Sequence, residues 1–515
     1  MRVEQFLEAS AARLPDKVAL VCEGQRVTYA ELDTQATRFA RALQDIGVGR
    51  GDRVVIHLDN SVAAVVSIFG TMKAGAVFVA VNPTMKPAKL AYILRDSGAL
   101  VLVADSRRQG SVAEALAAAP SLKGLILAGA ATPAPIAGAE IVLWLDAIVS
   151  APSAPLTPPR GLNIDLAALV YTSGSTGVPK GVMLTHLNMT SAARSITTYL
   201  ENTADDVIFN VLPLSFDYGL YQVLMAFRVG ARVLLGRNFT YPLTVLELLR
   251  TERATGFPIV PTISALLVQI DLTQYRLPDL RYVTNTGAAL PTPHITAIRA
   301  WLPQARLYSM YGLTECKRVA YLPPEEVDRR PLSVGRAMPN VEVTLVDEDG
   351  RPTTTGTGEL VVRGSNVMSG YWNRPDETAQ ALRPGPFGQR VLYSGDIFRM
   401  DADGFLYFVS RKDDVIKSRG EKVSPREVEN VLYDLPGVVE AAVIGEANDL
   451  LGNAVAAYIV QRVDAGLTGQ DVSRHCARFL EDFMIPRRVE FIEAMPRTAT
   501  GKIDRRALAG PRVDA

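Results

Sequence analysis

The 515-residue sequence predicts an α/β protein that has a large N-terminal domain and a small α+β C-terminal domain. In the N-terminal part, short apolar strands alternate with amphipathic helices, which favours a mostly parallel sheet covered by helices on its faces. The C-terminal part combines an amphipathic helix with two apolar strands, which is enough for a core of its own. A chain of this length exceeds what one hydrophobic core usually serves, so a division into domains is expected.

Helix caps and apolar spacing place the first elements. Thr28 and Glu31 form a capping box, and a helix with one apolar face follows them. Residues 52–58 and 99–105 are typical of short buried strands. Lys73 and Gly75 interrupt the apolar stretch 62–81, so it predicts a buried helix followed by a strand rather than a membrane span.

The C-terminal elements follow from the same signals. Ser424 and Pro425 are typical of the start of a helix, with proline at the first helical position. The apolar segments 439–445 and 454–460 predict strands, and a further helix is expected around 472–483. These elements together make a small α+β unit.

Three segments are interpreted as connections between elements. The Ala/Pro-rich stretches 131–138 and 150–159 predict surface loops. The charged run 410–417 precedes the C-terminal unit, where a solvated segment bends at little cost. It is interpreted either as a hinge or as an ordinary charged loop.

Charge and cysteine content exclude several classes of protein. Lys plus Arg and Asp plus Glu each number 54, so the net charge is zero, which disfavours binding of nucleic acid or an anionic membrane surface. Cys22, Cys316 and Cys476 are far apart and form neither a disulfide framework nor a metal-binding pair, so a reducing cytoplasm is expected. Glu4 and Glu8 stand where a signal peptide would have its apolar core.

The segment 171–186, YTSGSTGVPKGVMLTH, is the most informative part of the sequence. After an apolar strand it is dense in Gly, Ser and Thr, so backbone amides, hydroxyls and Lys180 can converge on a phosphate. It is not a Walker A loop, because Gly174 and Gly177 are too close together and Lys180 is followed by glycine. A flexible linker is the alternative interpretation.

Five later motifs occur in the order that one family uses. They are YGLTE at 311–315, GTGEL at 356–360, YSGD at 393–396, SRKDDVIKSRGEKVSPREVE at 410–429 and PRTATGKIDRR at 496–506. With the glycine-rich loop, they resemble the adenylate-forming superfamily of acyl-CoA synthetases, peptide-synthetase adenylation domains and luciferases. The resemblance covers essentially the whole chain.

The resemblance implies a specific architecture. It comprises a large multi-sheet N-terminal domain with layered helices over 1–410, a hinge over 411–413 and a small mobile C-terminal domain over 414–515, which carries the catalytic lysine. Asp413 is the implied pivot of the hinge.

The implied activity is that of a stand-alone, AMP-forming acid–thiol ligase. ATP with Mg²⁺ activates a small carboxylic acid to an acyl adenylate and releases pyrophosphate, and the acyl group then passes to a thiol. The acceptor is either CoA or the phosphopantetheine of a separate carrier protein. A luciferase-like oxygenase and a non-catalytic nucleotide- or acid-binding protein are the alternatives.

The resemblance also implies a nucleotide site. Lys180 and the preceding loop hold the β- and γ-phosphates, Glu315 binds Mg²⁺, Thr314 contacts the α-phosphate, and Asp396 accepts hydrogen bonds from the ribose hydroxyls. The complete implied set is Thr172, Ser173, Gly174, Ser175, Thr176, Gly177, Lys180, Gly287, Ala288, Ala289, Tyr311, Gly312, Thr314, Asp396 and Arg411.

Lys502 is the implied catalytic residue of the small domain. It bridges the substrate carboxylate and the α-phosphate during adenylation, as a point charge that stabilises the transition state. After rotation about Asp413, the residues Lys417, Gly420 and Lys422 would line the approach of the thiol.

Asp217 makes the implied acid pocket unusual. Where acyl-CoA synthetases commonly have histidine, this chain has Phe216 followed by Asp217, as in amino-acid-activating domains. A buried carboxylate needs a cation, supplied either by a substrate ammonium or by Arg318 or Lys317. The first alternative predicts an amino acid or amino-bearing acid, and the second an ordinary medium-chain, long-chain or aryl acyl-CoA ligase. The implied pocket residues are Asp217, Tyr218, Tyr221, Pro258, Thr284, Thr286, Met310, Arg318 and Val319.

Overall fold

A computed structural model describes most of the chain. The described residues are 1–117, 122–129, 139–152, 156, 161–173, 179–412, 414–418, 421–448, 452–498 and 502–509. The predicted connection 131–138, most of the connection 150–159, and the predicted pivot Asp413 lie outside them.

Helices and strands alternate along most of the described chain. The helices are α1 Gln5–Arg13, α2 Tyr29–Asp45, α3 Val62–Lys73, α4 Pro87–Ser97, α5 Gln109–Leu116, α6 Leu145–Ser150, α7 His186–Tyr199, α8 Asp217–Val229, α9 Pro242–Thr251, α10 Pro261–Leu267, α11 Thr292–Trp301, α12 Pro375–Ala381, α13 Pro425–Tyr433, α14 Gly469–Cys476 and α15 Arg505–Leu508. Short 3₁₀ turns occur at Ser106–Arg108, Leu272–Gln274 and Pro324–Glu326.

The strands belong to four sheets. They are β1 Val18–Cys22, β2 Gln25–Thr28, β3 Arg53–His57, β4 Val77–Ala80, β5 Val101–Asp105, β6 Gly124–Ala128, β7 Ile141–Trp144, β8 Leu166–Ser173, β9 Pro179–Thr185, β10 Val207–Asn210, β11 Arg232–Leu235, β12 Gly256–Ile259, β13 Tyr282–Asn285, β14 Arg306–Tyr311, β15 Ala320–Tyr321, β16 Arg336–Ala337, β17 Val341–Val346, β18 Pro352–Thr353, β19 Gly356–Gly364, β20 Gly370–Tyr371, β21 Leu382–Pro384, β22 Arg390–Met400, β23 Leu406–Arg411, β24 Ile416–Ser418, β25 Glu421–Val423, β26 Val438–Asn448, β27 Gly452–Gln461 and β28 Arg488–Phe491.

Two large sheets form the centre of the N-terminal domain. The nine-stranded sheet has the order β16-β15-β14-β13-β12-β10-β11-β1-β2, and the eight-stranded sheet has the order β20-β9-β8-β4-β3-β5-β6-β7. From β1 to β14 in the first sheet, and from β8 to β7 in the second, neighbouring strands are parallel. This arrangement confirms the predicted α/β class. Because parallel strands end at one edge, β12, β13 and β14 deliver their last residues to a common region.

A six-stranded antiparallel sheet completes the N-terminal domain, and a five-stranded sheet organises the C-terminal domain. The six-stranded sheet is built from β17, β18, β19, β21, β22 and β23, and the five-stranded sheet from β24 to β28. The change from one sheet to the other falls between Arg411 and Ile416. The core residues divide in the same way, because the clusters of the small domain begin at Ile416 and share no residue with those of the large domain. The predicted large multi-sheet domain and smaller C-terminal domain are both present.

The local signals in the sequence explain where several elements begin. Thr28 and Glu31 form the predicted capping box of α2, and the Ser424 hydroxyl accepts a hydrogen bond from the Glu427 amide at the start of α13. The helix expected around 472–483 is shorter and begins earlier, because Thr468 forms a capping box at the start of α14. The apolar stretch 62–81 contains α3 and β4, as predicted. Within the described ranges, no helix is both long and apolar enough to cross a bilayer.

Candidate active site

The glycine-rich loop connects two antiparallel strands of the eight-stranded sheet. β8 and β9 pair so that Thr172 lies opposite Lys180. The pairing holds both ends of the loop at one place and fixes the position where Lys180 leaves the sheet. The predicted phosphate-binding residues Gly174, Ser175, Thr176 and Gly177, and the side chain of Ser173, lie outside the described part of the chain.

Glu315 and Lys180 meet at Tyr371, although they are far apart in sequence. The Tyr371 hydroxyl donates a hydrogen bond of 2.8 Å to Oε1 of Glu315. Lys180 Nζ lies 5.5 Å from the centre of the Tyr371 ring. The backbone amide of Met368 donates to the Glu315 carbonyl oxygen at 2.7 Å, which anchors the turn that carries Glu315 and Thr314. No motif pointed to Tyr371, which lies 56 residues from Glu315 in β20.

The carboxylate of Glu315 fits a magnesium ion that arrives with a nucleotide. Mg²⁺ usually binds through one or two protein carboxylates and completes its shell with phosphate oxygens and water. Among the described residues, no group of three or more His, Cys, Asp or Glu side chains is placed to hold a metal ion. A single carboxylate beside Lys180 therefore suits a metal–phosphate complex better than a resident metal ion.

Asp396 is buried but keeps one oxygen available. The Tyr311 hydroxyl donates to its Oδ2, and Nε of Arg411 lies 3.3 Å from its Oδ1. Burial raises the pKa of Asp396, while Arg411 and the Tyr311 hydrogen bond oppose this rise. Oδ1 accepts no hydrogen bond from the described residues, so its lone pairs can accept from ribose hydroxyls.

Replacement of Asp396 with asparagine is expected to weaken ATP binding. A hydrogen bond to a charged group contributes about 1.5–3 kcal/mol, so the KM for ATP should rise roughly 10- to 150-fold. Wild-type protein should discriminate against 2′-deoxy-ATP or 3′-deoxy-ATP, and Asp396→Asn should lose much of that discrimination. Steady-state kinetics with the three nucleotides checks this prediction, with exposed Asp205→Asn as the control. Undiminished discrimination in Asp396→Asn would exclude a ribose contact.

Glu359 joins three of the sequence motifs. It belongs to the GTGEL segment, and its Oε1 accepts a hydrogen bond of 3.1 Å from the amide of Gly395. Its Oε2 lies 3.1 Å from Nζ of Lys412, and the Lys412 amide donates to the Gly395 carbonyl oxygen at 2.8 Å. The backbone next to Asp396 and the last described residue before the predicted pivot are therefore fixed to the same sheet.

Contacts on either side of Lys502 hold this residue of the small domain next to the large domain. Arg497 and Ile503 form an isolated antiparallel bridge, and the Thr498 amide donates to the Lys502 carbonyl oxygen at 2.8 Å. A Cβ atom built on Gly287 would lie 3.6 Å from Cε of Lys502 and 3.8 Å from Cζ of Phe216. Lys502 therefore reaches the backbone segment Gly287–Ala288–Ala289, which the resemblance includes in the nucleotide site and which would contact adenine.

Charged residues of both the predicted acid pocket and the predicted nucleotide site influence the pKa of Lys502. Its side chain faces solvent inside the cleft, yet enough protein surrounds it that burial lowers its pKa. The negative charges of Asp217, Asp396 and Glu315 oppose this decrease. Lys502 is thus within electrostatic range of the predicted acid pocket and of the predicted nucleotide site.

Asp217 has an internal cation as its partner. It is the first residue of α8, and Nζ of Lys317 lies 3.3 Å from its Oδ2. The ammonium of Lys317 also lies 4.5 Å from the ring centre of Tyr221 and 5.4 Å from that of Tyr218. Burial lowers the pKa of Lys317 to about 7, and Asp217 opposes this decrease. This is the internal-partner alternative of the sequence analysis, so Asp217 does not require a substrate ammonium.

Breaking this pair from one side is expected to destabilise the protein. Lys317→Met would remove the cation that forms the ion pair with buried Asp217, and breaking a buried pair typically costs about 3–5 kcal/mol. The double variant Asp217→Asn/Lys317→Met should be more stable than the sum of the two single changes predicts, because it removes both charges. Thermal unfolding of the four proteins checks the prediction. Additive losses would show that the two charges are not coupled.

The remaining predicted acid-pocket residues lie together in the core of the large domain. The Tyr218 hydroxyl is hydrogen-bonded to both the carbonyl oxygen and the hydroxyl of Thr284, and Pro258 pairs with Thr284 across β12 and β13. The buried members of this group are Tyr218, Tyr221, Pro258, Thr284, Thr286, Met310, Arg318 and Val319. Gly420 and the side chains of Lys417 and Lys422, predicted for the thiol channel, lie outside the described part.

Comparison with known proteins finds matches along almost the whole chain. The family model "AMP-binding enzyme" matches residues 7–372, and "AMP-binding enzyme C-terminal domain" matches residues 427–502. The chain is 33% identical to a long-chain-fatty-acid–CoA ligase of Yersinia pestis, covering 99% of this chain and 94% of that protein. It is 31% identical to a linear gramicidin synthase polypeptide of Brevibacillus parabrevis, over 99% of this chain but 6% of that protein. The solved structure of the anthranilate CoA ligase AuaEII with anthranoyl-AMP has a TM-score of 0.89 and 27% identity, covering 99% and 96% of the two chains.

Proposed function

The chain belongs to the AMP-binding enzyme family, and we propose that within it the protein is an AMP-forming ligase that joins a carboxylic acid without an α-amino group to CoA. The reaction has two steps. The acid carboxylate attacks the α-phosphorus of ATP and displaces pyrophosphate, and the CoA thiol then attacks the acyl carbon and displaces AMP. The proposed roles of the residues follow from this sequence of steps.

The position of Lys502 is the observation that supports this function most. Its side chain lies next to Gly287, and its pKa is influenced by the negative charges of Asp217, Asp396 and Glu315. A cation at that point can neutralise charge on both the acid carboxylate and the α-phosphate as the new bond forms. We therefore assign to Lys502 the stabilisation of the adenylation transition state.

The other side chains hold the nucleotide in this proposal. Asp396 and Arg411 bind the ribose, Tyr311 and the Gly287–Ala289 backbone contact adenine, and Lys180 binds the outer phosphates together with the residues of its loop. Thr314 contacts the α-phosphate. Gly312 has no side chain, which leaves room for the turn that precedes Thr314. Bound Mg²⁺, with Glu315 as its protein ligand, supplies positive charge that offsets the charge on the phosphate oxygens.

The second step requires a different arrangement of the small domain in this proposal. The domain bounds 1–410 and 414–515 and a pivot at Asp413 remain predictions. After a rotation about that pivot, the thiol would approach past Lys417, Gly420 and Lys422. The contacts of Lys412 with Glu359 and Gly395 are consistent with a rotation that begins after Lys412. Rotation about a few residues between two packed domains is a common way for enzymes to alternate between steps.

The proposed substrate class differs from the amino-bearing acid that Asp217 first suggested. Lys317 supplies the cation that Asp217 needs, and several relatives that match this chain over almost their whole length are CoA ligases. The amide bond synthetase McbA of Marinactinospora thermotolerans also matches over 99% of its length, whereas linear gramicidin synthase is matched over 6% of its length, so a carrier protein is kept as the competing acceptor. CoA is proposed because the matched relatives named above as ligases of CoA are covered almost completely.

Acid-dependent ATP–pyrophosphate exchange over a panel of acids tests the proposed function. Fatty acids, aryl acids and their amino-substituted counterparts should be compared, and productive acids then incubated with CoA or with a phosphopantetheinylated carrier protein. We expect exchange with acids that lack an α-amino group, and acyl-CoA as product. Exchange confined to amino acids, or transfer confined to the carrier protein, would contradict the proposal.

A further inference from the structure

Arg318 is a buried cation that the proposed mechanism does not use. It is 1% exposed and is the largest fully buried side chain in the described part of the protein. Its Nε and Nη1 atoms have no hydrogen-bond partner there, and none of the ion pairs between described residues includes it. Buried charges in proteins are normally paired, because an unpaired charge in a region of low dielectric constant is costly.

Arg318 lies among other residues of the predicted acid pocket, and its guanidinium is hydrogen-bonded to the hydroxyl of Tyr199. Its guanidinium carbon lies 5.4 Å from the ring centre of Tyr218, whose hydroxyl is held by Thr284. The charge of Arg318 also influences the pKa of the buried Tyr221, which burial raises. Tyrosine rings and hydroxyls provide weak acceptors and no negative charge, so they cannot balance a guanidinium.

The neighbouring ion pair cannot balance Arg318 either. The carboxylate of Asp217 is already paired with Lys317, and Arg318 acts on Lys317 as a second positive charge. The buried group Asp217, Lys317 and Arg318 therefore contains two basic side chains and one acidic one. The carboxylate that reacts with ATP cannot supply the missing negative charge, because Lys502 and the nucleotide site engage it elsewhere in the cleft.

We propose that Arg318 binds a second carboxylate at the far end of the substrate, so that the protein activates a dicarboxylic acid. The inference rests on the proposed function and narrows its substrate class. A carboxylate matches the planar, bidentate geometry of a guanidinium and would use its unpaired donors.

The positions of the aromatic rings set an upper limit on the distance between the two carboxylates. Phe216 and Lys502 both lie next to Gly287, the ring centre of Phe216 is 6.3 Å from that of Tyr218, and the ring centre of Tyr218 is 5.4 Å from the guanidinium carbon of Arg318. At most two ring-sized steps therefore separate Phe216 from Arg318. A spacer of up to several carbon atoms, or an aromatic ring, lies within that limit.

Matched pairs of acids test the proposal by pyrophosphate exchange. The pairs are hexanoate with adipate, octanoate with suberate and benzoate with terephthalate, and the monomethyl ester of each diacid serves as an uncharged analogue of the same shape. In at least one pair the diacid should have a kcat/KM at least about 100-fold above both the monoacid and the ester. Equal use of monoacid and diacid in every pair, or equal use of diacid and ester, would overturn the proposal.

Variants of Arg318 test whether this residue causes the preference for diacids over monoacids. Arg318→Met should lower kcat/KM for the preferred diacid at least about 100-fold and leave that for the monoacid unchanged or higher. Arg318→Lys keeps the charge and should retain part of the preference, and Arg329→Met, which changes an exposed arginine, should behave as wild type. An equal loss for monoacid and diacid in Arg318→Lys would mean that Arg318 serves only the fold.

The same experiment separates this inference from the proposed function. Exchange with monoacids and diacids alike would overturn the role of Arg318 and leave the ligase activity supported. Absence of exchange with every acid would overturn both.

Discussion

Replacement of Lys502 with alanine is expected to lower acid-dependent ATP–pyrophosphate exchange by about 10²–10³-fold, the usual effect of removing one group that stabilises developing charge. Thioester formation from a supplied acyl adenylate should continue near the wild-type rate, because the proposed mechanism uses Lys502 in the first step only. Single-turnover assays of each half-reaction measure the two effects. Lys89→Ala, which changes an exposed lysine on α4, is the matched control.

The pH dependence of the first step should carry the signature of Lys502. Burial lowers its pKa, and a protonated lysine is needed to balance the charge on the α-phosphate. Adenylation should therefore decrease as the pH rises through a value below the ordinary lysine pKa, while the thioester step should lack that decrease. Equal losses of both half-reactions in a folded Lys502→Ala protein would contradict the assigned role.

Replacement of Glu315 with glutamine is expected to have an effect of similar size. The change keeps the shape of the side chain but removes the charge proposed to bind Mg²⁺, so adenylation should fall by about 10²–10³-fold and require more Mg²⁺. Tyr371→Phe is the matched comparison, because it removes the 2.8 Å hydrogen bond to Glu315 and leaves the carboxylate in place. Its effect should be about tenfold. Titration of the exchange rate with Mg²⁺ checks both variants.

An unchanged requirement for Mg²⁺ in Glu315→Gln would exclude Glu315 as the metal ligand. A larger loss in Tyr371→Phe than in Glu315→Gln would instead assign the main role to the tyrosine hydroxyl.

The sequence predicted the fold class well because it depends on local and recurring patterns. The capping box at Thr28, the cap at Ser424 and the apolar strands follow from spacing alone, and the structure confirms them. The order in which strands join the two large sheets could not be predicted in this way. β8 joins β4 and β10 joins both β11 and β12, because tertiary packing decides which strands become neighbours.

The contacts within the acid pocket show where sequence patterns stop being informative. The sequence identified Asp217 as a carboxylate in need of a cation but left open whether substrate or protein supplies it. Lys317 adopts a left-handed backbone conformation with φ of 64°, which turns the chain directly after the YGLTE motif. The resulting direction of its side chain depends on that backbone torsion, so the residue order alone did not reveal the contact.

Tyr371 and Arg318 illustrate the same point for function. Tyr371 belongs to none of the motifs and reaches Glu315 only because β20 pairs with β9 at the edge of the sheet. The lack of a negative charge paired with Arg318 among the described residues could not be seen without knowing the neighbours of its guanidinium. The sequence did place Arg318 in the acid pocket, but only the structure supplied the reason to connect it with a second carboxylate.

Isotope transfer from the acid to AMP tests the central claim most directly. An accepted acid labelled with ¹⁸O in both carboxylate oxygens is incubated with ATP, Mg²⁺ and CoA, and the products are examined by mass spectrometry. An acyl adenylate retains one labelled oxygen on phosphorus, so AMP should contain one ¹⁸O, the acyl-CoA should keep the other, and pyrophosphate should contain none. Unlabelled AMP, or ADP formed with labelled phosphate, would contradict the proposed chemistry.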